Sequence, residues 1–238
     1  MRSLRPIDSG VPLVRIGGDG DGGYLVPSDL EGVVALFSPG VSTIANFELE
    51  FAQRDVPCFL ADRTVDYPPL AHRNFHFLKR HLGRANTDET ITLDQWVSRN
   101  CARTGDLILQ MDIEGAEYDV IDSAPAGLLE RFRIIVLEAH GLNRLWRASG
   151  YLRIARMFQR LLTTHAVVHL HANNCLPPRQ RLGLSIHPVI EFTFLRRDRA
   201  TEAAPILSLP HPLDRSNVRG FPEWPLDPNW YLHSAEMP

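Results

Sequence analysis

The sequence predicts an α/β protein built on a doubly wound sheet of seven strands, and three observations carry that prediction. Short apolar runs alternate with stretches of helical periodicity along most of the chain, the pattern of βα units wound into one sheet. Several runs end in a carboxylate or an imidazole: Asp62, Asp112, Glu138 with His140, and His169 with His171. The composition, 44% hydrophobic and 22% charged over 238 residues, suits one globular domain of this class and leaves little room for a second.

Each element follows from its own residues. Val11 to Pro27 reads as two short strands around a glycine-aspartate turn, an N-terminal hairpin within an extension over residues 1–30. Gly32 to Gly40 is the first strand of the main pattern, and Phe47, Phe51 and Ala52 give Ile44 to Arg54 helical spacing. Val56 to Asp62 is the second strand, and Asn74 to Leu78 the third, after a loop marked by Pro68-Pro69. Asp94 is expected to N-cap a helix from Gln95 to Arg103. Asp106 to Met111 is the fourth strand, an apolar run that leads straight into Asp112, Glu114 and Glu117. Its helix carries a stripe of Ile113, Ala116, Val120 and Ile121 and ends near Pro125. Arg133 to Glu138 is the fifth strand, Tyr151 to Leu162 an amphipathic helix, Ala166 to Asn174 the sixth strand and Val189 to Leu195 the seventh. Successive crossovers should be right-handed. From Pro205 onward prolines and aromatics replace periodicity, so residues 205–238 read as an irregular C-terminal arm anchored by Trp224 and Trp230. No repeat and no boundary interrupts the chain, which is taken as one domain over 1–238.

Composition excludes several functions. A formal net charge of -3 and dispersed arginines offer no basic field for nucleic acid. Cys58, Cys101 and Cys175 are odd in number, far apart and without metal-type spacing, which disfavours a disulfide framework and fits a reducing cytoplasm. The first twenty residues lack a continuous apolar core, and no segment approaches a membrane-spanning length, so neither secretion nor membrane insertion is expected.

In open α/β sheets ligands bind outside the carboxyl ends of the strands, where Asp112, Glu114 and Glu117 fall. A dinucleotide would need the G-x-G-x-x-G approach to its pyrophosphate, but the first turn, Ser38-Pro-Gly40-Val-Ser-Thr43, has one glycine, and no phosphate loop occurs elsewhere. That weighs against a nicotinamide-dependent oxidoreductase. S-adenosylmethionine presents a ribose diol, an amino-acid end and a sulfonium cation, and it needs acceptors such as strand-end acids.

Taken together, Leu36-Phe-Ser-Pro-Gly40, Asn46-Phe-Glu48, Ala61-Asp-Arg-Thr-Val-Asp66, Gln110-Met-Asp-Ile-Glu-Gly-Ala-Glu117 and His169-Leu-His-Ala-Asn-Asn174 resemble FkbM-type methyltransferases along nearly the whole chain. The resemblance implies a Rossmann-like class I methyltransferase fold, its sheet mostly parallel with the last strand antiparallel, and S-adenosylmethionine as donor. It differs from the family in its first turn, where Ser38-Pro39 replaces a glycine-rich opening. Carried over by position, Phe37, Ser38 and Gly40 should line the methionine end, Asp62 should accept the ribose hydroxyls, and Phe77 should contact the adenine. Asp112 is the pocket acid, ranked above Glu114 and Glu117, whose plainer role is to complement the helix dipole. The Asp19-Gly-Asp-Gly-Gly-Tyr24 turn fails the calcium-loop spacing and reads as a hairpin, with Asp21 and Tyr24 folding over the entrance.

A hydroxyl acceptor must also lose its proton. Glu138 and His140 end the fifth strand, and His171 and Asn173 the sixth. His140 is the preferred base and His171 the second, because imidazole titrates near neutral pH. Asp112, Glu138 and His140 could instead gather around a divalent metal, which the absence of a ligand-spacing motif disfavours. The expected activity is O-methylation of a sugar, glycan or small secondary metabolite, by a protein that could form a homodimer. A catalytically silent binding module is the remaining alternative.

Overall fold

The computed structural model describes residues 2–41, 43–102 and 104–232. Its centre is a seven-stranded sheet of β1 (Val33–Pro39), β2 (Cys58–Ala61), β3 (Phe75–Leu78), β4 (Asp106–Met111), β5 (Phe132–His140), β6 (His165–Ala172) and β7 (Val189–Arg196). The spatial order is 3-2-1-4-5-7-6. β7 runs antiparallel to both β5 and β6, whereas the other adjacent pairs are parallel. The expected doubly wound, mostly parallel seven-stranded sheet is therefore present.

Period-two alternation divides this sheet into two faces. On one, Phe37, Phe59, Leu107, Leu109, Met111, Ile135, Leu137, Phe192 and Phe194 form a continuous apolar layer. Three helices cover it: α2 (Leu93–Asn100), α3 (Glu117–Ser123) and α4 (Ala148–Thr164). Each contributes an apolar stripe, such as Ile154, Met157, Phe158 and Leu161 on α4, spaced at three and four residues. On the other face Leu36, Cys58, Leu60, Ile108, Ile134 and Val136 pack beneath α1 (Asn46–Gln53) and the N-terminal hairpin. The hairpin strands, Leu13–Ile16 and Tyr24–Pro27, pair antiparallel as expected. It is anchored to the sheet by Thr193, whose hydroxyl donates to the Leu25 carbonyl.

Some boundaries move. α2 begins earlier than expected because Thr92, not Asp94, is the N-cap, accepting from the Gln95 backbone N–H; the expected end at Arg103 lies outside the described residues. A turn over residues 112–116 delays α3 to Glu117, so Ile113 and Ala116 precede the helix. Of the two tryptophans proposed as anchors, Trp230 is wholly buried with an edge-on contact to Phe192, while Trp224 is only half-buried. Ala204–Pro205 pairs with Ile7–Asp8, tying the C-terminal arm to the N-terminal extension; residues 233–238 lie outside the described residues. No helix among the described residues is long and apolar enough to cross a membrane.

Candidate active site

The second face of the sheet changes character along its strands. Beyond Leu36, Ile108 and Val136, the next inward positions are Ser38, Gln110 and Glu138, followed by Gly40, Asp112 and His140. Apolar packing thus gives way to hydrogen-bonding groups at the carboxyl edge.

Gly40 is the point of closest approach between the β1 and β4 ends. Its φ is +97°, and a Cβ there would meet the Asp112 carbonyl oxygen at 1.6 Å, so only glycine fits. Two cavities open beside it. One, of about 160 Å³, is lined by Asp21, Tyr24, Gly40, Glu48, Gln110 and Asp112 among others. The other, of about 270 Å³, is lined by Gly40, Asp62, His81, Leu82, Ile113 and Ala116 among others. Gly40, Asp112 and Glu114 border both.

A buried polar chain floors the smaller cavity. Ser38 lies between Glu48 and Gln110, 2.6 Å from the amide oxygen of the latter, and the Gln110 amide donates to the Tyr24 hydroxyl at 3.2 Å. Ser38 has one hydroxyl hydrogen for two oxygen neighbours: donated to an ionised Glu48 it holds that carboxyl down, and a protonated Glu48 frees it for Gln110. Burial favours that state by pushing the Glu48 carboxyl up to about 6 against the opposing Ser38 hydrogen bond.

The third feature is a corner at the ends of β4 and β5. His140 Nδ1 lies 3.0 Å from Glu117 Oε1, an oxygen that also accepts the backbone N–H of Ile113 and of Gly115. The other ring nitrogen faces Glu114 Oε2 at 3.5 Å and Asp112 Oδ1 at 3.7 Å, with Glu138 Oε1 at 4.0 Å. Burial pushes Asp112 up to about 7, aided by the negative charges of Glu114, Glu117 and Asp21 against the pull of His140. Burial also pushes Glu138 well up, with the Asp112 charge next in weight. At His140 burial opposes the charged ring, but Glu117 and Asp112 outweigh it and raise the imidazole.

The structure sorts the sequence-based candidates. Gly40, Asp21 and Asp112 line the smaller cavity, Tyr24 with them, and Asp62 the larger one, where its Oδ1 also accepts the Thr64 backbone N–H. Phe37 is a correction: alternation turns it onto the opposite face, where it is 0% exposed, stacked on Phe59 and edge-on to Trp96. Ser38 is likewise sealed, supporting the floor of the cavity from beneath. Phe77 packs on the apolar cluster under α1 and lines neither cavity, whereas His81 and Leu82 line the larger one. Asn173 does not face the cavities but donates to Glu138 Oε1 at 2.7 Å, fixing that carboxylate.

The two histidines preferred as bases are separated. β7 lies between β5 and β6, so the fifth and sixth strand ends are not adjacent. His171 instead pairs with Glu191 of β7 at 3.1 Å and lines a distinct cavity against the C-terminal arm. Sequence reasoning also missed Glu117 as a partner of His140, because a first-turn acid has an ordinary reading as a dipole charge. It missed Asn217 as well, whose amide binds Glu191 from an arm without periodicity.

An open sheet in the order 3-2-1-4-5-7-6, with its last strand antiparallel and its cavities at the carboxyl ends of β1, β2 and β4, defines the class I methyltransferase architecture. Residues 62–166 match the family model for the methyltransferase FkbM domain. No curated protein matches the chain. Solved structures similar to it include bluetongue virus VP4, described as a multifunctional RNA-capping production line, at 10% identity and a TM-score of 0.41, over 82% of this chain and 32% of that one. TrmN from Thermus thermophilus is 12% identical with a TM-score of 0.34, over 69% of this chain and 44% of that one. A mutant 16S rRNA (adenine(1408)-N(1))-methyltransferase from Catenulisporales acidiphilia is 11% identical with a TM-score of 0.33, over 77% and 97%. This chain spans about a third of VP4 and less than half of TrmN.

Proposed function

We propose that the chain is an S-adenosylmethionine-dependent O-methyltransferase acting on a hydroxyl of a sugar, glycan or small secondary metabolite. The observation that carries this reading is the pair of cavities meeting at Gly40, bordered by carboxylates and free of any glycine-rich phosphate loop. The cavity at Asp62 suits the adenosine half of the donor, with Asp62 on the ribose hydroxyls and Leu82 and Ile113 against the base. The cavity at Tyr24 and Gln110 suits the methionine end, and the Asp21, Asp112 and Glu114 carboxylates suit a sulfonium cation.

Transfer is an in-line displacement. The acceptor oxygen bonds to the methyl carbon, the carbon–sulfur bond breaks with its electron pair on sulfur, and the hydroxyl proton is lost at the corner formed by His140, Asp112 and Glu138. The same carboxylates repel phosphate, which favours a neutral hydroxyl compound over nucleic acid as acceptor.

Calorimetry and thermal shift with S-adenosylmethionine, S-adenosylhomocysteine and NAD test the donor. At a concentration 100 times Kd the bound donor should add about 2.7 kcal/mol of stability. Asp62→Asn should weaken donor binding by about tenfold, the loss of roughly one charge-assisted hydrogen bond. Stabilisation by NAD without stabilisation by S-adenosylmethionine would overturn the reading.

A further inference from the structure

The corner at the ends of β4 and β5 holds more acceptor groups than its own donors satisfy. One ligand atom each from Asp112, Glu114 and His140 lies within 4.8 Å of the others. The separations from His140 Nε2, 3.5 Å to Glu114 Oε2 and 3.7 Å to Asp112 Oδ1, are long for direct hydrogen bonds. They suit three atoms around one ion, because ligands held at about 2.0–2.2 Å stand roughly 3–4 Å apart.

The orientation of the ring supports the same reading. Glu117 Oε1 is an acceptor already engaged by two backbone N–H groups, so His140 Nδ1 donates to it and Nε2 presents its lone pair to the two carboxylates. On a neutral ring that lone pair faces two carboxylates, and a metal cation between them completes the contact as a proton would. A carboxylate behind one ring nitrogen with the other left bare is the outer-shell arrangement that orients metal-binding histidines.

An independent observation points to the same ion. Glu138 is 4% exposed, its Oε1 is 4.0 Å from His140 Nε2, and its Oε2 has no hydrogen-bond partner. Asp112 Oδ1, facing the ring, is also buried without one. A buried oxygen left unsatisfied is costly, and a cation bound at Asp112 Oδ1 removes that cost there.

We infer that Asp112, Glu114 and His140 bind a divalent cation of the Mg²⁺ or Mn²⁺ class, with Glu117 and Glu138 behind them. The two carboxylates suit these hard ions, with the imidazole as a third ligand, and the exposed Glu114 side leaves positions open to water and to an acceptor hydroxyl. The inference rests on the reading of this corner as the place where the acceptor is activated, and it names the agent. A hydroxyl on the ion is acidified, and His140 serves as a ligand in place of a free base.

Manganese is the probe, because its binding is read by electron paramagnetic resonance and by calorimetry without turnover. The whole protein should take up one Mn²⁺, and Glu114→Gln should weaken that binding at least tenfold. Glu114 is exposed, so this variant keeps its fold; His140→Ala should act in the same direction, while Asp66→Asn, an exposed acid paired with Lys79 elsewhere, should leave the affinity unchanged. Thermal stabilisation of the unmodified protein by Mn²⁺ gives a readout independent of any variant. No Mn²⁺ uptake, or uptake indifferent to Glu114→Gln and His140→Ala, overturns the inference. If S-adenosylmethionine binds and Mn²⁺ does not, the metal site falls while the methyltransferase reading stands; if Mn²⁺ binds through these ligands and the donor does not, the reverse holds.

Discussion

The two faces of one sheet are built from neighbouring residues yet serve different ends. Phe37 and Ser38 are consecutive in β1, both fully buried, and point in opposite directions. Phe37 stacks on Phe59 within a layer that stays apolar to the ends of the strands, where Met111 and Ala139 still belong to it. Ser38 joins a polar chain with Glu48, Gln110 and Tyr24, which line the smaller cavity. The difference teaches that on this sheet the site is a property of alternate residues past the midpoint of each strand.

Substitutions can break that comparison, beginning with the largest expected effect. Phe37→Ala removes a ring packed against Phe59 and Trp96 and should cost about 4 kcal/mol in urea unfolding. Donor affinity per folded molecule should not change, because the ring faces away from both cavities. A tenfold loss of donor affinity with stability intact would show that the faces are not independent. Gly40→Ala should cost slightly less, roughly 3 kcal/mol from backbone strain and overpacking combined. Here donor binding should fail as well, since the added Cβ forces the Asp112 carbonyl away. Calorimetry on the folded fraction separates the two losses.

The faces also differ in how legible they were. The apolar layer and the succession of strands and helices along the chain followed from runs such as Leu107 to Met111 and from helical stripes, which are local patterns. Gly40, Asp62, Asp112 and His140 were legible as strand ends in a recognisable order. Phe37 and Phe77 were misplaced because a motif names a stretch of chain, whereas alternation decides which of its side chains reach the crevice. Glu117, Asn217 and the separation of His140 from His171 depended on tertiary facts: a turn delaying α3, an arm without periodicity, and the insertion of β7 between β5 and β6. None of these has a local signal in the sequence.

Buried acids sharpen the contrast: on the strands Glu138 and Glu191 alternate onto the polar face, and Glu48 reaches it from α1. The Glu48 carboxyl is held at about 6, above its ordinary value of 4.5, so the folded chain binds a proton that the unfolded chain releases. Stability from this group is complete below pH 4.5, declines as pH rises through 6 and stays low above it. A shift of that size corresponds to about 2 kcal/mol, so Glu48→Gln should raise stability at pH 8 by up to that amount and flatten the profile between pH 4.5 and 6.5. Urea midpoints measured at pH 4.5 and at pH 8 give the comparison. An unchanged difference between them would place the charge penalty elsewhere.

The smallest expected effect is also the most selective. Ser38→Ala removes one hydroxyl from the polar chain and should cost about 1 kcal/mol, against about 4 for its neighbour on the other face. Its consequence for pH is the sharper measurement. The Ser38 hydrogen bond holds Glu48 down against the burial that pushes it up, so without the hydroxyl the carboxyl should titrate above 6. The pH at which stability declines should then move upward in Ser38→Ala and vanish in the double variant with Glu48→Gln. Phe37→Ala should leave that pH in place while lowering the whole profile. A shift in the Phe37 variant equal to that in the Ser38 variant would mean that the polar chain is tuned through the sheet, and the division between faces would no longer hold.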